Sequence, residues 1–110
     1  MKSYLIDEIP SSDMERIRSE MEKSATSSGL EKLFWVEIPE NMLSEIQLLH
    51  KGCGPHVFAV ELGRNWIRCE FFVRTLNSMK CSCNGYATTR QVHFAIEHAN
   101  RLLEKLGIKS

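Results

Sequence analysis

The side chains best suited to chemistry fall in two groups. The first is a run of metal-ligand types. His50, Cys53 and His56 stand in H-x-x-C-x-x-H within the loop HKGCGPH, and Cys81-x-Cys83 lies farther on. Imidazole nitrogen and thiolate sulfur are good zinc ligands, and a Gly-rich loop lets three of them converge. Paired C-x-x-C motifs are missing, so His50, Cys53 and His56 form a zinc candidate of low specificity. Strand alternation turns Cys69, Cys81 and Cys83 inward together, where free cysteine behaves as a small hydrophobe. A nucleophilic Cys53 assisted by His50 or His56 is the enzymatic reading, and physics argues against it. That thiol follows a short predicted helix, whose negative C-terminal end disfavours a thiolate, and no orienting third residue suggests itself. His93 and Glu97 are four apart on a predicted helix but lack the fuller H-E-x-x-H pattern, so they read as solvated face.

The second group mixes aromatic and basic residues: Trp66, Phe72 and Tyr86 with Arg68, Arg74 and Lys80. Rings stack on bases and cations attract phosphates, so this mixture suits single-stranded nucleic acid. It also suits a homodimer or protein interface, where exposed aromatics and arginines are expected. A third reading places Trp66 and Phe72 under an acidic N-terminal helix. The sequence pI of about 6.9 lies below the basic values usual for nucleic-acid-binding domains. Self-association or a protein partner is therefore the leading expectation, nucleic acid the alternative, and zinc binding the second alternative. No catalytic constellation emerges, and the chain is expected to act by binding.

These residues need elements to position them. Ser12 to Glu15 has capping-box spacing, and Met14, Ile17 and Met21 follow at helical intervals. That helix has a thin apolar stripe and is expected to be peripheral. Tyr4 to Ile9 ahead of it reads as extended lead-in or a short edge strand. Leu33–Ile38 reads as a strand ended by Pro39. Asn41 is expected to cap a short helix with Met42, Leu43, Ile46 and Leu49 inward, stopped by Gly52.

Residues 56–62, 65–74 and 78–86 are expected to form a three-stranded antiparallel meander. Its inner face would hold Phe58, Val60, Leu62, Ile67, Cys69, Phe71, Val73, Met79, Cys81 and Cys83. Its outer face would hold Trp66, Arg68, Phe72, Arg74, Lys80 and Tyr86. Thr88 and Gln91 then open a long final helix, with Val92, Ala95, Ile96, Ala99, Leu102, Leu103 and Leu106 on one face. Gly107 is placed for a left-handed C-terminal cap. The expected class is α+β, in the order α-β-α-β-β-β-α: a mostly antiparallel sheet with its helices packed on one face and a long C-terminal helix.

The 110 residues suit a single domain, with an acidic helical part (1–30) and a sheet-plus-helix part (31–110). No apolar run is long enough to span a membrane, and MKSYLIDEIP is no signal peptide. The cytoplasm is the expected location, and there thiols stay reduced. Net charge is zero but split: residues 1–50 carry ten acids and five bases (5 − 10 = −5), residues 51–110 nine bases and four acids (9 − 4 = +5). The simplest expectation is that the two halves pack against each other.

Overall fold

The structure is a computed structural model that describes residues 2–78 and 80–109. The chain is α+β, built on a seven-stranded antiparallel sheet. Its centre is β4 (His56–Leu62), a β-branched and aromatic run buried at six of its seven positions. On one side β4 pairs with β3 (Leu33–Glu37), and β3 with the two-residue β2 (Thr26–Ser27). On the other it pairs with β5 (Ile67–Glu70) and β6 (Phe72–Thr75), one strand interrupted at Phe71. The lead-in is an edge strand, β1 (Ser3–Ile6), on β5. The short β7 (Gly85–Tyr86) lies on β6. Phe71 sits between these two edge pairings, donating its N–H to none of the other strands but to the carbonyl of Lys2, and accepting from Ala87.

The meander therefore exists, but its third strand is shorter than the expected 78–86. Residues 80–84 form turns instead, and Met79, assigned inward from alternation, lies outside the described residues. The cause is Asn84. Its side chain accepts from the Thr75 N–H at 2.7 Å and donates to the carbonyls of Cys81 (2.8 Å) and Ser78 (3.2 Å). Asn side chains compete with ladder hydrogen bonds in this way.

The inner sheet face carries Phe34, Val36, Phe58, Val60, Leu62, Ile67, Cys69 and Val73 into one core. Two helices cover it: α1 (Ser11–Ser24) and α3 (Thr89–Lys105). The helix α1 is not peripheral, because Ile17 and Met21 are completely buried. Pro10 precedes it with no side-chain cap, so the Ser12–Glu15 capping box does not form. The box at Thr88 and Gln91 does form, and Gly107 adopts φ 69° past the end of α3. The Ile108 N–H then reaches the Leu103 carbonyl at 2.9 Å, closing the helix as a glycine cap should.

In α2 (Glu45–Leu49) the cap is Ser44, not Asn41, boxed with Gln47. Its buried residue is Gln47, while Ile46 and Leu49 face outward. Met42 and Leu43 pack on the core as expected. Ion pairing joins the acidic and basic halves at Glu20–Lys105 (2.7 Å) and Glu40–Lys51. Most pairs are local to one half, such as Glu97–Arg101 at 3.0 Å. Among the described residues, no helix is long and apolar enough to cross a membrane.

Gly63 opens the β4–β5 turn for a steric reason. A Cβ there would stand 2.0 Å from the Trp66 ring, which lies across the glycine. Gly63→Ala must displace that indole, at an expected cost of about 1–3 kcal/mol. The check is a lower urea midpoint at unchanged m-value.

Candidate metal centre

Two loops meet beside the C-terminus of α2. Its capping box fixes where that helix starts and so where His50, its C-terminal cap, points. A single 3-10 turn follows over Lys51–Cys53, in which the Cys53 N–H donates to the His50 carbonyl at 2.9 Å. That turn brings His50 and Cys53 to one side. From the other side comes the Asn84-clamped loop with Cys81 and Cys83. The side chain of Asn77 donates to the Gly54 carbonyl and ties the two loops together.

The donor atoms converge. His50 Nδ1 lies 3.0 Å from Cys81 Sγ, Cys83 Sγ 3.1 Å from it, and Cys53 Sγ 3.3 Å from it. All four donor atoms lie within 4.8 Å of one another. Zinc binds sulfur at about 2.3 Å and imidazole nitrogen at about 2.0–2.1 Å, so a tetrahedral site has edges of roughly 3.5–3.8 Å. The three contacts to Cys81 are shorter than that by about half an ångström, so the donors would have to spread slightly around an ion.

Electrostatics favours a cation at the middle sulfur. The backbone N–H of Cys83 donates to Cys81 Sγ, the thiols of Cys83 and Cys53 do likewise, and these hold Cys81 down to about 6. Burial pushes Cys83 up to about 12. Donation to Cys81 raises Cys53. Cys69 is separate from the group, a core thiol that burial alone pushes up to about 12.

The surroundings brace the ligands. Buried Gln47 donates to the Cys83 carbonyl at 3.3 Å and accepts from buried Gln91 at 2.8 Å, and Gln91 also donates to the Met42 carbonyl at 3.0 Å. The Cys83 loop is thereby coupled to the start of α3. Outer partners of this kind tune metal affinity. Were the cluster to hold zinc, Asn84→Ala, which frees the Cys81 carbonyl, would be expected to weaken that binding by about 10–100-fold, measured by competition with a chromophoric chelator.

No family model, curated protein or solved structure significantly matches the chain.

Of the three residues in H-x-x-C-x-x-H, His50 and Cys53 belong to the donor cluster. His56 does not join the cluster. As the first residue of β4 it shares the inward parity of Phe58, is 3% exposed, and leaves its Nε2 without a partner. Burial, then the neighbouring His50, lowers its pKa. The other two members of the cluster are Cys81 and Cys83. Their signal was the C-x-C pair itself, obscured by reading 78–86 as one continuous strand. Cys83 is buried as expected, but among ligand types, and Cys81 is half-buried.

The aromatic and basic group disperses. Phe72 and Tyr86 make an edge-to-face pair at 5.4 Å, and Arg74 lies 5.0 Å over Phe72. Arg68 lies 5.1 Å over Trp66. Both arginines are already paired, Arg74 with Glu70 at 2.8 Å and Arg68 with Glu61. Lys80 is exposed in the cysteine loop, not on a strand. The buried residues of α1 join the core, to which neither Trp66 nor Phe72 belongs.

Proposed function

We propose that this chain is a zinc-binding domain whose metal is held by His50, Cys53, Cys81 and Cys83 and serves structure rather than catalysis. One observation carries the reading: four donor atoms from two segments far apart in sequence lie within 4.8 Å of one another. Three sulfurs and one imidazole are a common structural zinc set, and four protein donors leave no open position for substrate. Metal analysis of protein purified without added zinc tests it, with one equivalent per chain expected. Cobalt substitution should give the thiolate-to-metal absorption of a tetrahedral site. A metal-free, fully folded sample that takes up neither ion rejects the proposal. Reduced thiols in a metal site also accord with the cytoplasm.

The domain would act by binding a protein, including a second copy of itself, through the outer sheet face. What supports this is that both covering helices lie on the other face, while Phe72, Tyr86 and the outer arginines remain accessible at the surface. The Arg68–Glu61 and Arg74–Glu70 pairs neutralise the cations that phosphates would need, which ranks nucleic acid second. Light scattering across a concentration series tests self-association, which Phe72→Ser with Tyr86→Ser should abolish. A strict monomer that retains no partner counts against the reading. Salt-sensitive oligonucleotide binding, lost in Arg68→Ala with Arg74→Ala, would favour nucleic acid instead.

A further inference from the structure

The sulfurs of the cluster are not equivalent, and their arrangement favours one covalent product. Cys81 Sγ is the hub, touching Cys53 at 3.3 Å and Cys83 at 3.1 Å. Distance alone does not separate the two partners. Their settings do. Cys83 is 2% exposed, and its carbonyl is held by Gln47. Only Ser82 separates it from Cys81, within a turn closed by the Asn84 N–H on the Cys81 carbonyl at 3.1 Å. A bond between Cys81 and Cys83 would close a small ring across that turn and strain the Asn84 clamp. Cys53 is half-buried like Cys81 and comes from an independent segment, so the two sulfurs can close to about 2.05 Å by a small movement of one loop. Cys53 and Cys81 are also the two members of the group that solvent partly reaches, whereas Cys83 is buried.

We infer that Cys81 is a site of peroxide modification and Cys53 its resolving thiol, so that oxidation yields a Cys53–Cys81 disulfide and expels the metal. The inference uses the same cluster as the zinc reading and deepens it. The Cys81 thiolate attacks one oxygen of hydrogen peroxide: an S–O bond forms, the O–O bond breaks and hydroxide leaves. The Cys53 thiolate then attacks that sulfur: the S–S bond forms, the S–O bond breaks and a second hydroxide leaves. The sulfurs lose two electrons, peroxide gains them, and two protons from solvent convert the hydroxides to water. With half of its donors consumed, zinc departs as the hydrated ion. A dithiol returns both electrons and restores the site.

The test uses the purified, reduced full chain. Its metal content is measured first, which by itself decides the zinc reading. Hydrogen peroxide is then added stoichiometrically while a chromophoric chelator follows released zinc, free thiols are counted, and the disulfide is located by peptide mapping. The expected result is loss of two thiols and one metal per chain together, with Cys53 joined to Cys81, reversed by dithiothreitol. Cys53→Ser should lose the disulfide and accumulate oxygen on Cys81, whereas Cys69→Ser should behave as the unaltered chain. A Cys81–Cys83 linkage, or intact thiols with metal retained in excess peroxide, overturns the inference. If the chain carries no metal, the zinc reading falls, and the same peptide map still decides for or against the Cys53–Cys81 pair.

Discussion

Zinc at a free concentration a thousand times its dissociation constant is expected to stabilise the chain by about 4 kcal/mol. For a domain of this size that is a rise in Tm of about 15 °C. The measurement is thermal unfolding in zinc-buffered solution against a chelator-treated control. Cys81→Ser should abolish the gap, because Cys81 is the sulfur that all three other donors touch. Compared without metal, the variant and the unaltered chain should melt within a few degrees of each other, since Cys81 belongs to no apolar cluster. Equal melting with and without zinc in the unaltered chain would remove the metal from its structural role.

The second large effect concerns α1. Ile17 is wholly buried and belongs to the one core that also holds Met14, Met21 and Leu103. Ile17→Ala should therefore cost about 2–5 kcal/mol, the range for truncating a buried isoleucine. A helix lying loosely on the surface would give a change within about 0.5 kcal/mol. Urea denaturation at two wavelengths, one for helix and one for tryptophan, separates these outcomes. Coincident transitions would also establish that α1 unfolds with the sheet.

The difference between those two numbers shows where sequence reasoning succeeded. Apolar periodicity identified Met14, Ile17 and Met21 correctly as one stripe, and Ala95, Ala99, Leu102 and Leu103 as another. It could not tell how deep a narrow stripe sinks, because that depends on the partner surface. The width of α1's charged face suggested the periphery, yet its methionine–isoleucine stripe is buried in the common core. Strand alternation also put Phe58, Val60, Leu62, Ile67 and Cys69 into the core, although Ala59 on the opposite parity is buried as well. It does not apply over residues 80–84, where Asn84 takes hydrogen bonds that a strand would have needed.

That one failure hid the convergence of Cys81 and Cys83 with His50 and Cys53. Once residues 78–86 were drawn as a strand, Cys81 and Cys83 had to face the core, and His56 became the nearest spare ligand. Spacing within H-x-x-C-x-x-H is local information. Convergence of that loop with C-x-C depends on how β4, β5 and β6 pair, which no short motif encodes. The outer face was affected in the same way. The residues were identified, but that Arg68 and Arg74 are matched by Glu61 and Glu70 depends on neighbours across and along the strands.

The position of the two ligand pairs also bears on the order of folding events. Cys53 precedes β4 and Cys81 follows β6, so the whole hairpin lies between them. The donor atoms meet only after those strands have paired and the entropy of closing the loop has been spent. Metal contacts should accordingly be absent from the folding transition state. Zinc is then expected to leave the refolding rate nearly unchanged and to slow unfolding by almost the full equilibrium effect. In stopped-flow traces the ion would act as a latch on a door already shut.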